Sequence, residues 1–130
     1  MQIIGAFDRS RVSDLEPREN SILISITSNG KDFPKVNKHW KDILQLRFND
    51  TEDRDTGMMT SHAKMILDFV IKHIDCDIFV NCDAGISRST GVVVALELLF
   101  NSKDISDKYP YHNRHVKNTI RDMWFKSVWK

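Results

Sequence analysis

The sequence predicts a single α/β domain with a short, central, mostly parallel sheet flanked by helices. Three observations lead to this prediction. The chain has 130 residues, the usual size of one domain, so residues 1–130 are expected to share one hydrophobic core. Hydrophobic residues make up 41% and charged residues 28% of the chain, close to globular averages. Short apolar runs come early and segments with helical periodicity come later, with no internal repeat.

The first predicted elements are strands. Ile3 and Ile4 form one β-branched run, and residues 22–26 form a second that ends at the turn signal of residues 27–30. The segment between these runs is polar, and we expect its order to end around Pro17. Residues 42–48 alternate, with an apolar face of Leu44, Leu46 and Phe48, as expected for a strand with one buried face.

An acidic loop over residues 49–57 separates this strand from the predicted helices. A helix is expected over residues 60–74, with one apolar stripe: Ala63, Ile66, Leu67, Val70, Ile71 and Ile74. Residues 78–80 are strand formers, and residues 89–100 are nearly all apolar and indicate a buried helix. Residues 101–110 are a polar loop before a last amphipathic helix over residues 112–129, whose apolar positions are Val116, Ile120, Met123, Trp124 and Val128.

Charge and hydropathy exclude several classes of function. Nineteen basic and eighteen acidic side chains give a net charge of +1, so nothing indicates nucleic acid or an anionic membrane as partner. The longest apolar runs are far shorter than the ~20 residues of a membrane span, and no signal peptide is evident, so a cytoplasmic protein is expected. Two cysteines are too few for a disulfide framework, and no zinc-like spacing accompanies them. Any cysteine chemistry therefore rests on one thiol.

Residues 78–91 carry the chemical signal, as a strand, a short loop and the start of a helix. A loop that leads from a strand onto a helix N-terminus can direct backbone N–H groups at one point, where the helix dipole also favours negative charge. Gly85 permits the backbone conformation that such a cradle needs. Arg88 supplies a planar fork for two phosphate oxygens. These features predict a phosphate site.

A nucleophile and an acid complete the predicted site. The donors that hold a phosphate also favour the thiolate form of Cys82, and Ser89 is placed to hydrogen-bond the sulfur when it leaves. Asp50, after an earlier strand, is placed to protonate the leaving oxygen and then to activate water. Asp53 and Asp55 lie in the same loop and stay as alternatives, although the position of Asp50 directly after the strand favours it.

The pattern Cys-x5-Arg-Ser, from Cys82 to Ser89, resembles the signature loop of the cysteine-dependent protein tyrosine phosphatase superfamily. The residues from Gly85 to Ser89 are most similar to those of its compact dual-specificity group. That family carries its general acid roughly thirty residues before the cysteine, and Asp50 lies 32 positions before Cys82. The resemblance is specific for residues 42–100 and topological elsewhere.

The resemblance implies a catalytic cycle through a cysteinyl-phosphate. Cys82 would attack phosphorus, Asp50 would act as the general acid, and Ser89 would stabilise the sulfur. The predicted phosphate-binding residues are those of the loop: Asp83, Ala84, Gly85, Ile86, Ser87 and Arg88. No metal or other cofactor is implied, because the loop and Arg88 neutralise the phosphate charge. The expected substrate is a phosphorylated protein, with RNA 5′-phosphate ends and phosphoinositides as alternatives, and the oligomeric state is not indicated.

The sequence departs from the family in two places. The family has histidine before the cysteine, where this chain has Asn81, which can form hydrogen bonds but cannot carry charge. A binding module that holds phosphate without turnover is therefore the rival hypothesis. The Lys-Asn-Arg-Tyr loop that deepens the pocket of the large tyrosine-specific enzymes has no equivalent, so a shallow pocket that accepts more than phosphotyrosine is expected. Sulfur transfer and arsenate reduction are disfavoured, because related loops for those reactions have another spacing or chain position.

Other reactive residue types have simpler interpretations. Cys76 is separated from Cys82 by a strand, so we expect a structural thiol and no disulfide. His112 and His115 lack a third ligand for a metal. The three tryptophans Trp40, Trp124 and Trp129 are expected in packing. The four lysines at positions 31, 35, 38 and 41 are expected to form a solvated face, with steering of an acidic substrate as the less favoured role. Ser89 also suits a purely structural role at a helix start.

Overall fold

A computed structural model describes residues 1–53 and 55–128 of the chain. These described residues form four strands and four α-helices. In chain order they are β1 (Gln2–Phe7), α1 (Arg9–Asp14), β2 (Ser21–Thr27), β3 (Asp42–Arg47), α2 (Thr60–Lys72), β4 (Asp77–Asn81), α3 (Arg88–Asn101) and α4 (Arg114–Val128). A short 3-10 helix, Ser106–Lys108, lies between α3 and α4.

The strands form one sheet in the order β1-β4-β2-β3, and all three pairings are parallel. Every residue of β2 is buried, and its Ile24 pairs with Val80 on one side and Leu44 on the other. A parallel strand covered on both faces needs such a run of apolar residues, because neither face meets water. The predicted single α/β domain with a parallel sheet between helices is confirmed.

The two faces of the sheet bury different elements. On one face, α2, α3 and α4 pack through the main hydrophobic core, which includes Ile24, Ile66, Val92 and Ile120. The other face is covered by α1 and by the segment before β3, through a smaller cluster of Val12, Leu23, Trp40 and Phe79. The ring of Trp40 meets that of Phe79 edge-on, with centroids 5.1 Å apart. Helices thus flank both faces, and the three longest share one of them.

The predicted stripe of α2 was wrong at its end. Ile71 and Ile74 are 50% and 44% exposed, whereas the stripe up to Val70 is buried. The helix stops at Lys72, and the His73 amide donates to the carbonyls of both Phe69 and Val70. The imidazole of His73 then bonds Asp42 at the start of β3, with Nε2 2.9 Å from Oδ2. Ile74 therefore lies beyond the end of α2.

The polar segment after β1 contains a helix that periodicity did not predict. Helix α1 has six residues, and only Val12 among them is buried. Two turns with one buried residue give no apolar stripe to detect. Asp8 at the N-cap accepts a hydrogen bond from the Arg11 amide at 2.7 Å, which is the local signal for this helix.

The last helix begins at Arg114, two residues later than predicted, so His112 lies outside it. Trp124 packs against Phe100 of α3, with ring centroids 5.1 Å apart. The predicted packing role of Trp129 lies outside the described residues. No helix among residues 1–53 and 55–128 is long and apolar enough to cross a membrane.

All four strands end at the same edge of the sheet, because all are parallel. The segments that follow them begin at Asp8, Ser28, Phe48 and Cys82. In open parallel sheets, ligands bind outside the carboxyl ends of the strands, where loops from neighbouring strands diverge. This edge therefore holds the candidate site.

Candidate active site

The sulfur of Cys82 lies at the base of the loop that joins β4 to α3. Cys82 is 1% exposed, and its Sγ is 3.0 Å from the hydroxyl oxygen of Ser89 in the first turn of α3. The Gly85 amide donates to the same sulfur at 3.2 Å. The sulfur thus contacts one backbone N–H group and one hydroxyl, at the end of the loop that leads into α3. The predicted pairing of Ser89 with the sulfur is present in the geometry.

Gly85 is required by the close packing of this loop against the end of β1. Its φ is +71°, and a Cβ there would lie 2.5 Å from the Asp8 nitrogen and 2.7 Å from the Phe7 carbonyl carbon. No side chain fits in that space. The Cys82 amide donates to the Phe7 carbonyl at 3.2 Å and the Arg9 amide to the Asp83 carbonyl at 3.3 Å. These bonds fix the loop to its neighbouring strand.

Several loop amides have no acceptor among the described residues. Within the part of the chain that the structure describes, this holds for the N–H groups of Ala84, Ile86, Ser87 and Arg88. The first amides of any α-helix lack partners in that helix and carry its positive dipole end. The loop therefore combines free N–H donors with a helix N-terminus, which is the arrangement that binds oxyanions.

The guanidinium of Arg88 is buried and held along one side. Its Nη1 donates to the Phe48 carbonyl at 2.9 Å and to the Ser28 hydroxyl at 3.1 Å, and its Nη2 donates to Asp83 Oδ2 at 3.0 Å. Nε is buried and has no partner among the described residues. The free N–H groups of the fork are thus that of Nε and the second of Nη2, which share one edge. That edge matches two oxygens of a phosphate.

The side chain of Asp83 faces the base of the loop, where cations surround it. Besides Arg88, its carboxylate pairs with Arg9 at 2.9 Å and approaches Lys31 at 3.8 Å. Burial alone would raise the pKa of this carboxyl, but hydrogen bonds from Arg88, Ser28, Arg9 and Thr27 outweigh it and hold the pKa far below its usual range. Asp83 is therefore ionised, and any part it takes in binding phosphate is through its amide.

Asp50 is the acidic residue that the fold brings to the loop. Its Oδ1 accepts hydrogen bonds from the Ser87 hydroxyl at 2.7 Å and from the Asn113 side-chain amide at 2.9 Å. Asp53 instead accepts a hydrogen bond from the amide of Asp55 within their own turn. The geometry therefore separates the three candidate aspartates of this loop, with Asp50 beside the phosphate cradle and Asp53 and Asp55 in an exposed turn.

Asn113 connects three parts of the site. Its backbone amide donates to the Ser87 carbonyl at 2.9 Å, its side-chain amide donates to Asp50, and its side-chain oxygen accepts from the Val116 amide at the start of α4. No sequence motif singles out this residue, because its partners come together only in the folded chain. A groove of about 320 Å³ opens beside it and is lined by residues 50–52, Ser87 and residues 110–114.

A larger cavity of about 610 Å³ lies between the start of α2 and α4, away from the thiol. It is lined by residues 58–60 and by α4 side chains such as Asn118 and Met123. None of its lining residues belongs to the loop of residues 82–89. The smaller groove is therefore the one that adjoins the reactive groups.

Asn81 occupies a fully buried position just before the thiol. Neither its amide nitrogen nor its amide oxygen has a hydrogen-bond partner among the described residues. Ser25, which pairs in register with Asn81 on the neighbouring strand, also has an unpartnered buried hydroxyl. A buried polar group without a partner is destabilising by about 1–3 kcal/mol. Hydrogen bonding is thus least complete at this position of the site.

Among the described residues, His112, His115 and Cys76 make no hydrogen bond to the loop of residues 82–89, although His112 lines the groove beside it. His112 and His115 each contact a backbone carbonyl, of Tyr109 and Met58 respectively. In the described residues, no three side chains of His, Cys, Asp or Glu are grouped as metal ligands. Cys76 is a free, buried thiol in the main core, as is expected of a structural cysteine. Of the four lysines, Lys31 lies beside the site through Asp83.

Comparisons with known proteins agree with this geometry at the level of the fold. No protein-family model matches the sequence, and no curated protein matches it. Nine chains of solved structures are similar. One is the human tyrosine phosphatase-like serine/threonine/tyrosine-interacting protein, which is 19% identical, with a TM-score of 0.58 over 84% of this chain and 78% of that chain. The chain therefore has a tyrosine phosphatase-like fold.

Proposed function

We propose that this chain is a cysteine-dependent phosphatase of dual-specificity type, which hydrolyses phosphotyrosine and also phosphoserine and phosphothreonine in proteins. The observation that carries the proposal is the buried Nε of Arg88, which has no partner among the described residues. Arg88 is next in sequence to Ser89, whose hydroxyl contacts the Cys82 sulfur. A buried cationic donor without an acceptor is destabilising unless an anion binds there. A phosphoryl group supplies oxygens for that donor and phosphorus for the thiolate.

In the first step, the Cys82 thiolate attacks phosphorus and the bond from phosphorus to the leaving oxygen breaks. The loop amides and the free edge of Arg88 hold the phosphoryl oxygens, where charge develops in the transition state. Asp50 gives its proton to the leaving oxygen, so the product departs as a neutral alcohol or phenol. The enzyme is left with a cysteinyl-phosphate and an ionised Asp50.

In the second step, Asp50 removes a proton from water as that water attacks the phosphorus of the cysteinyl-phosphate. The sulfur–phosphorus bond breaks, orthophosphate forms, and the sulfur leaves as a thiolate. The Ser89 hydroxyl, 3.0 Å from Sγ, donates to the sulfur as negative charge returns to it. Asp50 is then protonated again and ready for the next cycle. No metal ion takes part in either step.

The shape around the cradle supports more than one kind of phosphomonoester. Asp50 is exposed, and the groove beside it is open and lined by polar residues. An open rim accepts short phosphoserine and phosphothreonine side chains as well as long phosphotyrosine. RNA 5′-phosphate ends and phosphoinositides are the competing substrates, and parallel assays with phosphopeptides, 5′-phosphorylated RNA and phosphoinositide vesicles distinguish them.

A second candidate is a binding module that holds phosphorylated partners without turnover. Asn81 favours it, because this residue cannot carry charge and its amide makes no hydrogen bond to the loop. If this candidate is correct, the native chain binds tungstate but hydrolyses nothing. The variant Asn81→His then tests whether the residue before the thiol is the cause, because a gain of turnover would assign the missing activity to it.

The test of the first candidate is hydrolysis of para-nitrophenyl phosphate between pH 5 and 8 in the presence of EDTA. The native chain is expected to turn over, Cys82→Ser to be inactive, and Asp50→Asn to be slower and to lose the fall in rate at high pH. Asp53→Asn is the matched control for Asp50, since it removes the same charge from the same loop. Activity in Cys82→Ser, or a dependence on added metal, would overturn the proposal.

A further inference from the structure

We propose that Asp83 is a positioning residue, which orients the guanidinium of Arg88 so that its Nε edge faces the bound phosphoryl group. The inference rests on the proposed function in one respect, that an oxyanion binds in the loop. It assigns Asp83 no contact with the substrate. Asp83 acts through Arg88 from the side opposite to the anion.

The contacts of Asp83 come from three separate segments of the chain. Its Oδ1 accepts from Arg9 Nη1 at 2.9 Å and from Thr27 Oγ1 at 3.0 Å. Its Oδ2 accepts from Ser28 Oγ at 2.9 Å and from Arg88 Nη2 at 3.0 Å. Both oxygens are thus used twice, which fixes the carboxylate in position and direction.

Ser28 closes a ring of hydrogen bonds with Asp83 and Arg88. The Ser28 hydroxyl donates to Asp83 Oδ2. Because its hydrogen is used there, the Ser28 oxygen is free to accept a hydrogen bond from Arg88 Nη1 at 3.1 Å. Asp83 therefore holds Nη2 directly and Nη1 through Ser28. The guanidinium is planar, so contacts at both Nη atoms determine where the Nε–H bond points. The Phe48 carbonyl adds a further contact to Nη1.

Positioning and electrostatics make opposite predictions for this residue. Three cations surround Asp83, and its negative charge offsets part of their attraction for an anion. If charge alone mattered, Asp83→Asn would strengthen anion binding. If Asp83 positions Arg88, the same change would weaken binding, because an amide nitrogen or a neutral oxygen replaces the acceptor that holds the fork.

The experiment measures the affinity of the full chain for inorganic tungstate by calorimetry, so it needs no turnover. We expect Asp83→Asn to bind tungstate about tenfold more weakly or worse, as expected for the loss of a charge-assisted hydrogen bond. The control is Asp107→Asn, which removes the same charge from an exposed site in the 3-10 helix and should bind as the native chain does. Equal or tighter binding by Asp83→Asn would overturn the inference.

A double-mutant cycle with Arg88→Lys separates positioning from a general loss of structure. Lysine lacks the fork, so Asp83→Asn should change tungstate affinity less than about twofold in that background. If Asp83→Asn weakened tungstate binding by the same factor with Arg88 and with lysine at that position, Asp83 would not act through Arg88. If Asp83→Asn does not fold, Ser28→Ala serves instead, since it removes only the link to Nη1 and should weaken binding in the same direction.

The outcomes also distinguish this inference from the proposed function. If the native chain binds tungstate without hydrolysing phosphomonoesters, hydrolysis is refuted, and the Asp83 variants still decide the inference. If the native chain hydrolyses phosphomonoesters while Asp83→Asn binds tungstate normally, the inference fails alone. A native chain that binds no tungstate would overturn both.

Discussion

In the proposed reaction, single contacts at the thiol give neighbouring residues separate roles. The Gly85 amide and the Ser89 hydroxyl both reach the Cys82 sulfur, but only Ser89 has a side chain that can be removed without altering the backbone. In the proposed cycle, the sulfur gives up its charge in the first step and regains it in the second. A donor to the sulfur therefore assists the second step more than the first.

The variant Ser89→Ala is expected to slow hydrolysis of the cysteinyl-phosphate by about tenfold to a hundredfold, because one hydrogen bond to a charged group is lost. Rapid-mixing kinetics with para-nitrophenyl phosphate should show a burst of nitrophenol followed by a slow steady state. Ser61→Ala, on the exposed start of α2, is the control and should match the native chain. A lower rate without a burst would place Ser89 in the first step instead.

At the scale of elements, the junction of α3 and α4 decides where Asp50 lies. Gly91 of α3 packs directly against the segment that carries Asn113, and Asn113 in turn bonds Asp50 and Ser87. The acid and the phosphate loop are therefore joined through a contact between helices. Sequence periodicity located both helices but could not show that they meet at Gly91 of α3.

Gly91→Ala is expected to lower both stability and activity. A Cβ at this position would lie 2.7 Å from the Asn113 carbonyl oxygen and 3.1 Å from the Val116 Cβ. In an open helix interior the same change is stabilising by about 1 kcal/mol, so the reversed sign is diagnostic of the contact. Urea unfolding and kcat/KM measure the two effects. A variant more stable than the native chain, with unchanged activity, would contradict the packing described.

At the scale of the whole molecule, four parallel strands deliver the site to one edge of the sheet. The contiguous motif from Cys82 to Ser89 could be recognised in the sequence, and Asp50 could be placed by its distance from Cys82 and its position after β3. The pairing of Asp83 with Arg9 and the bridge made by Asn113 could not be predicted. These contacts join residues 74 and 63 positions apart, and no local pattern encodes them.

The same network makes stability depend on acid pH. The pKa of Asp83 is held below its usual range in the folded chain. The contribution of Asp83 to the free energy of unfolding is therefore complete above the pKa of the unfolded chain, about 3.9, and is lost as the pH falls from there toward the lower pKa of the folded chain. The free energy of unfolding of the native chain should therefore decrease more steeply below about pH 4 than that of Asp83→Asn. Urea titrations between pH 2.5 and 6 measure this difference. Parallel curves for the two proteins would show that the carboxylate is not stabilised by its partners.

If Cys82 takes the phosphoryl group from the substrate, the intact mass of the enzyme during turnover records that transfer directly. Asp50→Asn is the variant to use, because nitrophenolate is a good leaving group, so its departure depends less on the acid than the water step depends on the carboxylate. After rapid acid quench of this variant with para-nitrophenyl phosphate, we predict a species heavier by one phosphoryl group, with the modification mapped to Cys82. Turnover without such a species, or with the phosphoryl group on another residue, would contradict the account.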